Sequence, residues 1–337
     1  MAHDISKASG RPEMFYVGER PWHGLGTELE APATAAEAIA AAGLDWEIEE
    51  RAIYWKVMDD KQEAVGKHLR MITGHHANVR QDTGAVLGVV GERYQVIQNR
   101  DAFTFFDHVV GQGQAVYHTA GALGVGERVW ILAKLPGDIV IKKHGTEDRT
   151  EKFLLLSNSH NGWSTLRMFF TPIRVVCQNT LNAALGKTGS GIAIRHTGEI
   201  KSKVAEAQRA LGLAVRFYDD MTQLAQTLAG KAMKPQQIEA YVGRVFPSRK
   251  DEPSSRIQNV RRDVLELIEH GKGNDAAGIR GTAWAALNGV VEYVDHGRTG
   301  RGKTAEEKAS SRLESAWFGY GATIKARAWD AAVALVK

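Results

Sequence analysis

"KFLLLSNSHNGWSTLRMFF", residues 152–170, decides the fold class. Two apolar runs, one ending at Leu156 and one starting at Leu166, flank a polar segment that contains Asn161-Gly162. Asn-Gly tolerates the positive φ values a tight hairpin needs, so "KFLLLS" and "WSTLRMFF" read as paired antiparallel strands. Alternation along a strand sorts the side chains of the second run. Trp163, Thr165, Arg167 and Phe169 fall on one face; Leu166, Met168 and Phe170 fall on the other. A sheet with one aliphatic face needs a layer of helices to cover it, which points to an α+β protein.

The upstream stretch "GERVWILAKLPGDIVIKK", residues 126–143, repeats the pattern. Arg128, Trp130, Leu132 and Lys134 share one face, and Val129, Ile131, Ala133 and Leu135 the opposite one. Pro136-Gly137-Asp138 reads as a turn between two strands. Further upstream, "LRMITGHHANVR" and "GAVLGVV" flank the turn signal "QDTG", and "WEIEERAIYWKV" (46–57) mixes β-branched and aromatic residues with charges. "QNRDAFTFFDHVVG" (98–111) predicts an amphipathic helix capped by Asn99. Thr34 and Glu37 form a capping-box pair ahead of a short helix that stops at Gly43. The first thirty residues read as loop.

Beyond Pro172 the apolar period lengthens. "VVCQNTLNAAL" predicts a helix from about Val175 to Gly186, and "GKTGSG" (186–191) breaks it. Val204, Leu211, Tyr218 and Ala225, with Ala207, Ala214, Met221 and Leu228, form a heptad stripe over 204–228. That stripe would join a bundle or pair protomers as a homo-oligomer. "PQQIEAYVGRVF", "NVRRDVLELIEHG", "TAWAALNGVVEYVDH" and the chain from Ser310 predict further helices; Trp284, Leu287, Val291 and Val294 share one face. The expected architecture is an antiparallel-sheet core with hairpins and packed helices over 1–198, followed by a mainly helical region over 199–337 that packs on it.

Composition bounds the function. The 337 residues suffice for one large domain or two, and 43% hydrophobic content supports a sizeable core. One cysteine excludes an intramolecular disulfide and a multi-thiolate zinc site and suits a reducing compartment. The N-terminus lacks an apolar signal core, and no run of about 18 apolar residues occurs, so a cytoplasmic protein without membrane contact is expected. A net charge of +4 permits contact with nucleic acid without demanding it.

Three sequence features bear on chemistry. Cys177 lies next to Gln178 and Asn179, with His160 upstream as a possible base, so a hydrolase using Cys177 is one reading. The apolar "VVC" run and the absence of cysteine-hydrolase signatures favour a core cysteine instead. "GRTGRGKT" (297–304) matches the phosphate-loop pattern, yet a helix is expected before it where that motif needs a buried strand, and only 33 residues follow Thr304. The histidines show no metal-binding spacing, so no metal, cofactor or catalytic residue is assigned. The third feature is the paired basic-aromatic strand face: Arg128, Trp130, Lys134, Trp163, Arg167 and Phe169, with Arg174 beyond. Cations meet phosphates and rings stack on bases, so this face suits single-stranded nucleic acid.

Five segments carry a resemblance: "PWHGLGT", "TAGALGVGERVWILAKLP", "LLLSNSHNGWSTLRMFFTPIRVVCQNTL", "IRHTGEI" and "GTAWAALNGVVEYVDH". Over about residues 14–330 the chain resembles phage- and plasmid-associated proteins that carry a conserved domain of unknown function. The resemblance implies an origin in bacteria or their mobile elements and brings no catalytic residues. A looser, fold-level analogy links hairpins, a central helix and a basic-aromatic sheet to phage single-strand annealing proteins. The combined expectation is a non-enzymatic protein binding single-stranded DNA in replication or recombination. A protein-interaction module, such as a host-defence antagonist, is the alternative.

Overall fold

The hairpin at the centre of the sequence lies at the centre of the main sheet in a computed structural model of the chain. The structure describes residues 5–18, 25–31, 33–56, 69–110, 116–174, 179–180, 191–194, 204–248, 254–304, 308, 311–312, 315–316 and 319–337, with the backbone alone at 105–110, 174, 179–180, 191–194 and 204–215. Strand β7 (Arg128–Lys143) pairs antiparallel with β8 (Thr146–Ser159) from Lys143↔Thr146 to Arg128↔Ser159. The two-residue turn between them is His144-Gly145, with φ of 48° and 80°. Two successive positive φ values match the twist of the flanking strands.

Pro136-Gly137 therefore makes no hairpin. The segment read as two strands is one strand, and its register slips between Lys134 and Asp138. Proline has no N–H for the ladder, and Gly137 takes φ 73°, so the pair forms an irregularity inside β7. β8 pairs in turn with β9 (Leu166–Arg174), starting at Ser157↔Arg167. The hairpin read from Asn161-Gly162 exists, with a longer connection than a two-residue turn. Trp163 and Thr165 fall in that connection and not on the strand.

The strand order is β10-β9-β8-β7-β6-β1-β2, with β11 on β9. Here β6 is Val116–Leu123, β1 Met14–Val17, β2 Thr27–Leu29, β10 Asn179–Thr180 and β11 Gly191–Ile194. Two expectations are corrected here. The first thirty residues contain β1 and β2, short strands ordered by pairing with distant β6 and not by local pattern. Asn179 and Thr180, expected in a helix, pair with Arg174 and Ile173. A second sheet, β3 (Ile48–Lys56), β4 (Leu69–Arg80) and β5 (Val86–Gly91), is joined by the expected turn at 81–85.

The helices follow their local signals. In α1 (Ala35–Ala42) Thr34 and Glu37 form the reciprocal capping box, and Gly43 closes the helix in the left-handed conformation. The others are α2 (Asn99–Val110), α3 (Val204–Gly230), α4 (Pro235–Val245), α5 (Ser255–His270), α6 (Ala283–Glu292) and α7 (Tyr320–Val333). One π-helical turn, Tyr293–Gly297, extends α6. No helix of the described residues is long and apolar enough to cross a membrane.

One hydrophobic cluster unites sheet and helices. Val129, Ile131, Ala133, Leu135, Leu154, Leu156, Leu166, Met168 and Phe170 supply the sheet side. Tyr218, Met221, Ala225 and Leu228 of α3 insert from the helical side, so this half of the heptad stripe is used within the chain. All ten residues of α6 are buried, Asn288 and Glu292 included, so the helix is covered well beyond the one apolar face read from its sequence. A buried hydrogen bond of 2.8 Å from Trp284 Nε1 to Asp148 Oδ2 ties α6 to β8.

Candidate functional site

Strand register brings Arg128, Trp130, Lys134, Arg167 and Phe169 to one face, while Trp163 lies in the connection between β8 and β9. Trp130 on β7 pairs with Ser157 on β8, and Ser157 with Arg167 on β9. One row along, Leu132, Leu155 and Phe169 are in line; beyond them lie Lys134, Phe153 and Thr171. Arg128 sits at the end of β7 opposite Ser159. The face is open only in part. Leu132, Phe153 and Leu155 form a buried cluster, with Trp130, Phe169 and Ile173 half-buried against it. Lys134 is ion-paired with Glu151. Arg167 is exposed and has no ion pair among the described residues. Arg174 is in β9, but only its backbone is described, and Cys177 lies outside the described residues.

His118, on β6, stands edge-on to Phe153 with ring centroids 5.1 Å apart. Burial lowers its pKa below the ordinary histidine value; Glu151 pulls the other way, and Lys134 adds to the lowering. It is a neutral ring at the covered end of the face.

The open end is the β8–β9 connection, which is held rigidly. Ser159 Oγ donates to Asn161 Oδ1 at 2.6 Å, and the Trp163 backbone N–H donates to the same oxygen at 3.1 Å. Tyr94 Oη donates to the Ser159 carbonyl at 2.8 Å, and Asn78 Nδ2 to the His160 carbonyl at 2.7 Å. β5 presses on this turn: a Cβ on Gly88 would stand 2.4 Å from Asn161 Cα. Out of this clamped loop projects Trp163, 88% exposed.

His160 points the opposite way, into the core. Its Nε2 lies 3.0 Å from Asn99 Oδ1, and its ring meets Trp46 edge-on at 5.6 Å. Asn99 Nδ2 donates to the Leu44 carbonyl, so Asn99 Oδ1 accepts and His160 carries its proton on Nε2. The expected helix cap at Asn99 is therefore a correction. Asn99 is the first residue of α2, its side chain faces inward, and the Ala102 N–H is accepted by the Gln98 carbonyl.

Arg80 anchors the base of the second sheet. Nη1 and Nη2 donate to the Glu13 carboxylate at 2.8 Å each, Nε and Nη2 to Asp82 at 3.0 and 2.7 Å, and Nη1 to the Val125 carbonyl at 3.0 Å. All five N–H donors are used, and the guanidinium stacks on Trp46 at 4.1 Å. Burial pulls the guanidinium pKa down, but the hydrogen bonds to Glu13 and Asp82 outweigh it and hold it above its ordinary value. Nothing in the local sequence signals this pairing, because Glu13 is 67 residues away.

The Gly/basic loop 297–304 follows the π-helical turn of α6. A phosphate loop requires a buried strand there, so the geometry that would cradle phosphates is missing. Arg298 stacks on Tyr320 at 5.1 Å and donates to Ser315 Oγ. Among the described residues no group of three or more His, Cys, Asp or Glu could hold a metal ion.

Sequence reasoning missed the surface of the second sheet. Tyr54, Trp55, Leu69, Met71, Ile72, Val86 and Val89 are exposed there. The available signal was that "AIYWK" and "LRMIT" carry apolar residues at consecutive positions, which puts them on both faces of a strand.

A family model described as a domain of unknown function (DUF932) matches residues 86–317. No curated protein and no solved structure matches the chain.

Proposed function

Because the chain belongs to the DUF932 family, a domain of unknown function, its role must be argued from its own surfaces, and we propose that it binds single-stranded nucleic acid at the open end of the main sheet. The observation that carries this reading is Trp163: a large aromatic held almost fully exposed on a turn that is hydrogen-bonded and packed in place, near exposed Arg167. A rigid exposed ring loses little conformational freedom when a base stacks on it, and a cation alongside meets the phosphate. Trp130 and Arg128 extend the surface along β7. Lys134 and Phe169 are assigned minor parts, since one is ion-paired and the other half-covered. In this reading the protein serves replication or recombination of a phage, plasmid or integrated mobile element, without itself catalysing a reaction.

Titration of a fluorescent single-stranded oligonucleotide at several salt concentrations tests the proposal. Trp163→Ala should weaken binding by roughly 1–3 kcal/mol, the worth of one base–aromatic stack. Arg167→Ala should flatten the log–log salt slope by about 0.7, the signature of one lost phosphate contact on a single strand. No binding at low salt, or binding indifferent to both substitutions, removes the face from consideration. The exposed apolar second sheet favours a protein partner as the second reading, and an interaction insensitive to salt would identify it.

A further inference from the structure

The second sheet continues beyond the body of the protein. Past the His75↔Gly91 pair, β4 has lost β5, and residues 69–71 of β4 pair with 54–56 of β3 alone. In this two-stranded ribbon Tyr54 (54% exposed), Trp55 (49%), Leu69 (53%) and Met71 (55%) are all open to solvent. Seven of the eleven exposed large hydrophobic residues among the described residues lie on this one sheet. Such concentration marks an interface. Among the described residues β3 pairs only with β4; the Gln98 amide caps the N–H and C=O of Ile48, and beyond it no other strand lies along the outer edge.

We propose that this edge pairs antiparallel with β3 of a second copy of the chain, about a two-fold axis at Ile53. An antiparallel edge is self-complementary under such an axis, because residue i faces residue 106 − i. The charges agree with that register. Glu50 comes opposite Lys56 of the second copy, and by symmetry Lys56 opposite Glu50. On the other face Arg51 comes opposite Trp55, a cation over an indole. Ala52 and Tyr54 form the remaining pair, and a small residue leaves room for the ring. Sliding the register by two residues, the smallest slip that keeps the backbone hydrogen bonds in phase, opposes Glu50 to Tyr54 or Lys56 to Ala52 and breaks both ion pairs. The pairing would join two three-stranded sheets into one of six strands and bring Tyr54 and Trp55 of the two copies together beside the axis. Nucleic acid fits the ribbon less well. Its described outer part, 52–56 and 69–75, carries only Lys56 and Arg70 as formal cations, and the intervening sequence 57–68 sets Lys61 and Lys67 against Asp59, Asp60 and Glu63, so positive charge is not concentrated there.

Sedimentation equilibrium of the full chain, without nucleic acid, tests this independently of the proposed function. The wild type should form a dimer. Glu50→Lys and Lys56→Glu should each weaken it at least about tenfold, since either places two like-charge pairs across the axis. Each variant should keep the wild-type circular dichroism, as both side chains are exposed and Glu50 makes only a 3.5 Å surface contact with His76. The decisive sample is an equimolar mixture of the two variants. In the heterodimer every 50–56 contact again joins opposite charges, so association should return to within a few-fold of wild type. A monomeric wild type, a dimer indifferent to both substitutions, or a mixture no more associated than its components would each overturn the proposal. So would a monomer whose oligonucleotide affinity falls on Tyr54→Ala and Trp55→Ala, because that assigns the ribbon to nucleic acid.

Discussion

Replacing Arg80 with methionine should be among the most damaging single changes in this chain. Met fills most of the volume of the Arg stem, so the experiment isolates the loss of charge and hydrogen bonds. Five hydrogen bonds disappear. Their consequences differ by burial. Asp82 is 36% exposed and regains water, so its share is small. Glu13 is fully buried, loses both guanidinium donors and its counter-charge, and keeps only the Ser9 N–H at 3.1 Å. Leaving one member of a buried ion pair uncompensated costs about 3–5 kcal/mol. At roughly 2.1 cal/mol/K per residue, unfolding 337 residues carries about 0.7 kcal/mol/K of entropy, so the midpoint should fall by about 4–7 °C. Thermal unfolding followed by circular dichroism reads this directly. The charge argument adds a second expectation. Glu13→Gln with Arg80→Met removes the orphaned carboxylate, so the double variant should be less destabilised than the sum of the singles, by about 1–3 kcal/mol. A midpoint shift under about 1 °C for Arg80→Met, or strictly additive single effects, would refute the claim that this ion pair holds the N-terminal segment to the second sheet.

Three further expectations concern neighbouring features. Trp163→Ala should leave stability within about 0.5 kcal/mol of wild type, whereas Trp130→Ala, packed beside Ile5, Met14 and Tyr16, should cost about 2–3 kcal/mol in urea unfolding; equal effects would mean that the two rings are not placed as described. Gly126→Ala should destabilise by about 1–3 kcal/mol, because the residue takes φ 114° and a Cβ there would lie 3.0 Å from Arg80 Nη1 and from the Trp46 ring; a neutral result would show that neither constraint is real. The half-buried His118 has its pKa lowered in the fold, so the unfolded chain binds the extra proton first; its contribution is intact above about pH 6.5 and is lost as pH falls from there toward the folded value. Urea midpoints of His118→Gln should fall less steeply than wild type between about pH 7 and 5, and parallel curves would exclude the assignment.

Some of the architecture was open to reading because its cause is local. The alternation in "RVWILAKL" and "LRMFF" sorts aliphatic from polar side chains wherever those strands sit, and the aliphatic sets do line the main core. The capping box of α1 depends on residues three apart, and helical spacing sets the apolar face of Trp284, Leu287 and Val291 on α6 before the fold buries the whole helix. These patterns determined an α+β protein with a helical C-terminal half. Where the deciding partner is distant, sequence alone misled. Asn99 resembles a cap, but its contacts are Leu44 and His160, brought together only by folding. Pro136-Gly137 resembles a turn, but thirteen register pairs with β8 keep β7 one strand through it. The candidate site divides the same way. Which residues face together followed from period two; whether a face meets water did not. Trp130 and Trp163 carry the same ring, one half-buried against the sheet and the other almost wholly in solvent. Exposure depends on what packs above a residue, and only the tertiary structure decides that.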